Sequence, residues 1–313
     1  MTIGRSNARR IAAIDLGTNT TLMLLAEVEP DGRLRVLQDL ATITRLGRGV
    51  DRTKHLDEAA IERTLAVLRD YASRAQACGA KVVAVGTSAL RDALNRDAFL
   101  KPAEAILGCQ IQAIAGALEA ELTFLGALEG IEVGPLPLTV VDVGGGSTEI
   151  IVGSNGVIRD RISLDVGSVR MHERHKLAAP MTDEQMRSLR SEIRAELSRV
   201  PFDVAPRLLA IAGTATTLSA MAQAIDPYDP ARVHGSRLSA GQLREQTTRL
   251  ATATLDERKR FRGLHPDRAD VIAAGAVILE ELLAWTQAPE LIVSDGGVRF
   301  GLARRSLAQN SAD

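Results

Sequence analysis

The chain has 313 residues and a formal net charge of −1, and 45% of its residues are hydrophobic while 25% are charged. This length and composition are typical of a globular protein with about two domains, and they exclude an intrinsically disordered chain. Aromatic residues make up only 3% of the chain, which argues against a nucleic-acid partner held on stacked aromatic rings.

The cysteine pattern and the hydropathy indicate where the protein works. Cys78 and Cys109 have no metal-binding spacing, which fits a reducing compartment, and we expect a cytoplasmic location. The basic start of the chain is followed by an apolar run that ends at Asp15. Since no run reaches the ~18 apolar residues that a spanning helix needs, the sequence predicts neither export nor a membrane partner.

The first half of the chain begins with three predicted strands. An apolar run from Ile11 leads to Asp15 and a glycine turn, and a second strand is predicted over residues 21–26. The pair Asp31-Gly32 favours a two-residue hairpin turn before a third strand over residues 34–44.

After these strands the apolar residues recur at helical spacing, which predicts a change to helices and parallel strands. In order, we predict a helix that begins near Asp57, a strand over residues 81–86, a broken helix over 88–107, a strand over 109–114 and a helix over 117–128. The first half therefore has the predicted order βββαβαβα.

The second half repeats this order with insertions. Residues 139–148 again read as strand, aspartate and glycine turn, and Asn155-Gly156 provides the hairpin turn. The other predicted elements are strands over residues 149–153, 157–164, 208–212 and 291–293, and helices over 182–197, within 214–281 and after 296. Glycine and prolines interrupt residues 130–137, so we divide the chain into domains 1–130 and 131–313.

The turn after the repeated aspartate is the best candidate for a phosphate-binding loop. Glycines leave backbone N–H groups open to phosphate oxygens, and a serine adds a hydroxyl; the loop residues are Gly144, Gly145, Gly146 and Ser147. Asp142 and Glu149 flank this loop, and carboxylates beside phosphates indicate a divalent cation, for which Mg²⁺ is typical. A tight β-turn without a ligand is the alternative.

Two later glycine turns also follow predicted strands. Gly213 and Thr214 open a helix whose N-terminus would attract an anion, although ordinary helix capping explains the same residues. The turn at residues 293–297 is equally consistent with a simple strand-to-helix connection.

Five motifs occur together and in order, and they identify a resemblance. They are Asp15-Leu-Gly-Thr-Asn-Thr20, Gly86-Thr-Ser-Ala-Leu-Arg91, Asp142-Val-Gly-Gly-Gly-Ser-Thr-Glu149, Ala212-Gly-Thr214 and Ser294-Asp-Gly-Gly297. With them the chain resembles the exopolyphosphatase/guanosine pentaphosphate phosphatase family, within the actin/sugar-kinase/Hsp70 ATPase-like superfamily, from Ile11 to about Gly301. The resemblance implies an α/β fold of two duplicated ribonuclease H-like (actin-like ATPase) domains, whose five-stranded mixed sheets face a central cleft.

The resemblance also implies roles for individual residues. Glu119 aligns with the family's catalytic glutamate, which positions or deprotonates water, although Leu118 replaces the first glutamate of that motif. The other implied catalytic residues are Glu149 and Arg91, and Asp142 with Glu149 would hold Mg²⁺ or Mn²⁺. The implied phosphate-binding residues are Gly17, Thr18, Asn19, Gly144, Gly145, Gly146, Ser147, Gly213, Thr214 and Arg268. For Glu119 the alternative is an exposed helix face that it shares with Glu121.

The implied reaction is hydrolysis of the terminal phosphoanhydride bond of inorganic polyphosphate. Guanosine pentaphosphate (pppGpp), a nucleotide of the stringent response, is the alternative substrate. A kinase and a non-catalytic phosphate or nucleotide sensor are the rival functions. Longer relatives carry further helical domains, so we expect this form to prefer short chains and release them distributively. The basic run at residues 258–262 is the candidate track for a polyanion, and a homodimer would extend it; a solvated helix face is the alternative.

Overall fold

A computed structural model describes residues 10–29 and 33–309 of the chain. Contacts divide it into two compact units, of which one ends at Ala115 and is completed by the segment from Arg299, while the other is Gly116–Val298. Among the described residues, no helix has the length and apolar character needed to cross a bilayer.

The first unit is built on a five-stranded sheet in the order β3-β2-β1-β4-β5. Its elements are β1 (Arg10–Leu16), β2 (Thr20–Val28), β3 (Leu34–Ile43), α1 (Val50–Thr53), α2 (Glu58–Ala77), β4 (Lys81–Gly86), α3 (Ser88–Asp92), α4 (Asp97–Leu107) and β5 (Ile111–Ala113). The first three strands are antiparallel, and β4 and β5 continue the sheet in parallel from β1.

The helix α2 shows how the sequence specifies this unit. Asp57 caps it by accepting a hydrogen bond from the Ala60 N–H at 3.0 Å, as expected of an aspartate at this position. Ile61, Leu65 and Leu68 recur at helical spacing and lie in one buried cluster with β1 and β2. Capping and periodicity therefore agree on where α2 begins and which face it buries.

The second unit has the larger sheet, with the order β10-β11-β9-β6-β7-β8. Its elements are α5 (Gly116–Ala127), β6 (Leu138–Val143), β7 (Thr148–Ser154), β8 (Val157–Leu164), α6 (Ser168–Arg174), α7 (Asp183–Leu197), β9 (Leu208–Ile211), α8 (Ala212–Ala222), α9 (Pro230–Val233), β10 (Arg237–Ser239), α10 (Ala240–Thr252), α11 (Leu255–Arg258), a 3₁₀ helix (Pro266–Arg268), α12 (Ile272–Trp285) and β11 (Glu290–Val293). The last helix, α13 (Val298–Gln309), leads back to the first unit.

The two sheets confirm the predicted duplication, because β8-β7-β6-β9-β11 repeats the order and strand directions of β3-β2-β1-β4-β5. The prediction of five strands in both sheets is wrong for the second one. The short strand β10 pairs antiparallel with β11 and adds a sixth strand at the edge. Only three residues form β10, too few for a period-two pattern, and the sequence predicted helices there. The predicted hairpin turn at Asp31-Gly32 lies outside the described residues.

Contacts divide the chain before α5, whereas the sequence division at residues 130 and 131 came after it. Ala120 and Phe124 of α5 belong to one buried cluster with Leu138 and Ile151 of the second sheet. Packing of the apolar face of α5 on that sheet therefore groups the helix with the second unit, even though glycine and prolines follow it in the chain.

Candidate functional site

The loop between β6 and β7, which we call the second loop, is closed by its own residues and held by the start of α6. The N–H of Gly144 donates to the carbonyl of Ser147 at 3.0 Å. The carbonyls of Gly144 and Gly145 in turn accept backbone N–H groups of residues 168–170, at the start of α6, at 2.8 to 3.0 Å. Two successive carbonyls of the glycine loop are thus anchored on the same structural element.

A buried arginine anchors the third carbonyl of this loop. Arg170, which is only 6% exposed, donates from Nε to the carbonyl of Gly146 at 2.6 Å. Its Nη2 lies 3.7 Å from the exposed carboxylate of Asp165. The guanidinium is therefore oriented by the loop and by one aspartate at the protein surface.

Anchoring the carbonyls determines where the N–H groups of the loop point. In a trans peptide the C=O of one residue and the N–H of the next point in opposite directions. The N–H groups of Gly145, Gly146 and Ser147 therefore point away from α6, and none of them donates to a protein group among the described residues. Such a row of backbone donors forms an anion-binding nest.

The loop between β1 and β2, which we call the first loop, repeats this arrangement in the first unit. The N–H of Gly17 donates to the carbonyl of Thr20 at 3.1 Å, the same contact as in the second loop. The carbonyls of Thr18 and Asn19 accept backbone N–H groups of residues 44–47, which follow β3, at 2.9 to 3.1 Å. Both loops are therefore held from the segment after the third strand of their sheet.

The helix α3 places a hydroxyl beside the first loop and carries a cation on the same face. The Oγ atoms of Ser88 and Thr18 are 2.8 Å apart and share a hydrogen bond. Arg91 lies one helical turn after Ser88, so the two residues share a face of α3. The Nη1 of Arg91 donates to the carbonyl of Ile114 at 3.0 Å, which fixes the guanidinium at the end of the first unit.

Two buried carboxylates flank the second loop. Asp142 and Glu149 are direct partners across β6 and β7, so their side chains leave the same face of the sheet with Cβ atoms about 5 Å apart. Asp142 is 8% and Glu149 is 1% exposed. Thr123 donates to Asp142 at 3.4 Å and Ser163 donates to Glu149 at 2.6 Å.

The position of Glu119 follows from the contacts on either side of it in α5. Gly116 lies against Ser163, because a Cβ there would meet the Ser163 Cβ at 2.6 Å, and Thr123 reaches Asp142. Glu119 occupies the same helical stripe between these two contacts. It is 6% exposed, so the alternative of a shared exposed face with Glu121 is wrong.

Glu119, Asp142 and Glu149 therefore belong to one buried region of the second unit. Among the described residues, no group of three or more histidine, cysteine, aspartate or glutamate side chains is arranged to hold a metal ion. The facing pair of Asp142 and Glu149 still fits a hard cation such as Mg²⁺, which uses one or two carboxylates and takes its other oxygens from phosphate and water.

The third glycine turn, which carries Gly213 and Thr214, lies at the start of α8, and Arg268 packs against it. A Cβ at Gly213 would meet the Nη1 of Arg268 at 2.1 Å, so the glycine lets this guanidinium lie directly against the turn. Burial lowers the pKa of Arg268 below its ordinary value, because it outweighs the opposing effect of Tyr228. Ala212 has φ = 68°, a conformation that costs about 1 kcal/mol or more for a non-glycine residue, and such strain concentrates at functional sites.

This turn is also connected to the second loop. The hydroxyl of Thr214 donates to the carbonyl of Val143 at 2.9 Å, directly before Gly144. The second and third predicted phosphate-binding segments therefore lie side by side in the second unit. The first segment, with Gly17, and Arg91 belong to the first unit.

The fourth glycine turn, at residues 293–297, positions α5. A Cβ at Gly126 would meet the carbonyl oxygen of Gly297 at 2.0 Å, and one at Gly296 would meet that of Gly126 at 2.1 Å. His234 accepts the N–H of Asp295 on Nδ1 at 3.2 Å. These glycines allow two backbones to touch, and they hold the helix that carries Glu119.

Sequence reasoning missed the residues that support the loops, namely Ser88, Thr123, Ser163 and Arg170. Ser88 lies inside the quoted motif of residues 86–91 but was given no role there. For Arg170 the available signal was position, because it follows the third strand of its repeat as residues 44–47 do. The basic run at residues 258–262 also needs correction. Arg258 is 1% exposed and donates to the carbonyls of Leu250 and Ala269 at 2.7 and 3.3 Å, so it supports the fold and is no part of a surface track.

Comparisons with known proteins agree with this geometry. Residues 25–310 match the Ppx/GppA phosphatase family. Exopolyphosphatase 2 of Mycobacterium tuberculosis is 40% identical over 286 residues, which cover 87% of this chain and 89% of that protein. A crystal structure of an exopolyphosphatase-like protein has a TM-score of 0.90 at 31% identity and covers 97% of this chain and 100% of its own.

A second solved structure has the same fold. The Ppx/GppA family member of Aquifex aeolicus has a TM-score of 0.82 at 32% identity, covering 97% of this chain and 99% of its own. The duplicated actin-like fold is thereby confirmed. The chain belongs to the Ppx/GppA phosphatase family.

Proposed function

We propose that this protein is an exopolyphosphatase, which hydrolyses the terminal phosphoanhydride bond of inorganic polyphosphate with water as the nucleophile. The observation that carries the proposal is the glycine loop whose three carbonyls are anchored on α6 while its N–H groups point away, between the facing carboxylates Asp142 and Glu149. The likeness to exopolyphosphatase 2 supports polyphosphate as the substrate.

In this proposal the backbone donors hold the terminal phosphate. The N–H groups of Gly145, Gly146 and Ser147 bind its oxygens, and they need no reorganisation as negative charge develops in the transition state. Gly213 and Thr214 at the third turn, with Arg268, bind the neighbouring phosphate. In the first unit Thr18 and Asn19 would provide the corresponding N–H donors, while Gly17, whose own N–H donates to Thr20, forms the turn.

Asp142 and Glu149 would hold a divalent cation, with Mg²⁺ as our choice and Mn²⁺ as the alternative. When bound, the ion would neutralise charge on the phosphate oxygens. Thr123 and Ser163 keep the two carboxylates on the same face of the sheet, since each donates a hydrogen bond to one of them.

Glu119 is our choice for the general base. It sits in the first turn of α5, it is buried, and it shares a helical stripe with Thr123, which hydrogen-bonds Asp142. In this proposal its carboxylate would orient water toward phosphorus. Arg91 stays our proposed catalytic residue of the first unit, where its guanidinium would offer positive charge to phosphate oxygens. Leu118 stands where the resemblance implies a glutamate, so this base lacks the acidic neighbour of the family's motif.

The test is phosphate release from tripolyphosphate, long polyphosphate, pppGpp and ATP by the purified protein with Mg²⁺. We expect release from both polyphosphates. Release from pppGpp alone would make the protein a guanosine pentaphosphate phosphatase, phosphate transfer from ATP to an acceptor would make it a kinase, and binding without turnover would make it a sensor. Cytoplasmic location, a homodimer and the preference for short chains stay predictions.

A further inference from the structure

A pocket lies at the C-terminal end of α8, on the second unit. Its volume is about 470 Å³, and its walls are the chain that follows α8, the start of α9 and Arg262. This volume is within the range of ligand pockets. None of its residues belongs to the proposed catalytic region.

Two arginines give this pocket its chemistry. Arg232 and Arg262 are exposed, line the pocket, and form no ion pair or side-chain hydrogen bond with any described residue. Asp226 and Asp229 also line it, but the Asp229 carboxylate accepts the N–H of Ala231 at 3.0 Å as the cap of α9. Guanidinium groups without acidic partners are suited to bind phosphate oxygens.

The pocket is connected to the third phosphate-binding turn through α8. Arg268 lies against Gly213 at the start of this helix, and Gly263 lies against the backbone of Ala220 near its end. Residues 263–268 therefore run back along α8, with Arg262 and Arg268 at its opposite ends. A helix of 11 residues separates these ends by about 16 Å.

We propose that this pocket is a distal phosphate subsite, in which Arg232 and Arg262 bind phosphates of the polyphosphate chain remote from the one that is cleaved. The inference rests on the proposed function and extends it to the part of the substrate that leaves the third turn. A linear polyanion is the occupant because it carries charge along the whole distance that separates Arg268 from Arg262. Binding of distal phosphates would favour long chains, contrary to the preference for short chains expected from the sequence.

The test compares a chain that is too short to reach the pocket with one that reaches it. For long polyphosphate we expect the double variant Arg232→Ala/Arg262→Ala to raise KM about 5- to 30-fold, a size typical of two exposed charge contacts. For tripolyphosphate we expect KM and kcat to stay at wild-type values. Asp226→Asn should lower KM for the long chain, because it removes one of the two carboxylates that line the pocket.

Arg187→Ala is the matched control, since Arg187 is an exposed arginine of the same unit on α7. An equal change for both substrates, no change for either, or the same change in Arg187→Ala would overturn the subsite. Tripolyphosphate hydrolysis by the wild type reports on the proposed function separately. If that hydrolysis is absent, equilibrium binding of long polyphosphate to the wild type and the double variant still tests the pocket.

Discussion

Arg170 donates a hydrogen bond from Nε to the carbonyl of Gly146 at 2.6 Å, and its own backbone N–H donates to Gly145 at 3.0 Å. One residue thus orients two consecutive peptides of the glycine loop. We expect Arg170→Gln to lower kcat/KM about 10- to 100-fold, as for the loss of a hydrogen bond to a charged group. Inhibition by vanadate, which mimics the transferring phosphoryl group, should weaken by a similar factor.

Arg174→Gln is the control for this variant, because Arg174 lies on the same helix and pairs with Glu192 on the surface. The melting temperature of both variants separates misfolding from misplacement of the loop. Wild-type kinetics in a folded Arg170→Gln protein would show that the loop keeps its geometry without this side chain.

Glu119→Gln tests the proposed base. The amide keeps the size of the side chain but cannot accept a proton, so we expect turnover to fall about 10²- to 10⁴-fold while polyphosphate binding persists. Glu121→Gln, two residues along the same helix and half-buried, should retain most activity. Equal activity in the two variants would remove Glu119 from the mechanism.

Asp142→Asn tests the proposed cation site. We expect chelation by EDTA to stop hydrolysis, and we expect the variant to need at least about tenfold more Mg²⁺ for half-maximal rate, because an amide is a poorer ligand for a hard cation. Asp160→Asn on β8 provides the control, since Asp160 pairs with Arg159. Full activity in EDTA would contradict the metal assignment and leave arginines and backbone donors to neutralise the phosphate.

Glu281 gives the second unit a predictable dependence on pH. Burial raises the pKa of its carboxyl, but hydrogen bonds from Arg194 and Arg190 outweigh burial and bring the pKa below its ordinary value of 4.5. The interaction therefore stabilises the fold above that value and is lost as the pH falls through the lowered pKa. Urea unfolding of Glu281→Gln should show lower stability than the wild type at pH 7 and a smaller difference near pH 3.

Exposed Glu184→Gln on α7 is the control for the pH experiment. A gap between Glu281→Gln and the wild type that stays constant from pH 7 to pH 3 would mean that the charge of Glu281 plays no part. Packing of the side chain alone would then explain the loss of stability.

Most of the fold could be predicted because local signals were strong. Asp57 and Thr182 cap α2 and α7 as their sequence patterns indicate, and the aspartate and glycine turns repeat at the same place in both sheets. The strand β10 was missed because its pairing with β11 depends on residues distant in the chain, which no local pattern reports.

The candidate site could also be predicted only in part. Its loops and carboxylates lie in recognisable motifs, so they could be named from the sequence. The residues that orient them, such as Ser163 for Glu149 and Arg170 for Gly146, act through single hydrogen bonds across the fold. Nothing in the residue type of a serine or an arginine on a strand or helix indicates such a partner.

The last helix makes the first unit depend on residues from both ends of the chain. Ala303 of α13 is buried against Ile11 and Leu24 of the first sheet, and Arg299 forms two 2.7 Å hydrogen bonds with Asp39. Arg299 and Ala303 follow the whole of Gly116–Val298 in the chain. The first unit therefore lacks part of its core until the end of the chain is present, whereas the second unit is complete at Val298. A purified chain that ends at Val298 should resist protease in the second unit and remain cleavable in the first.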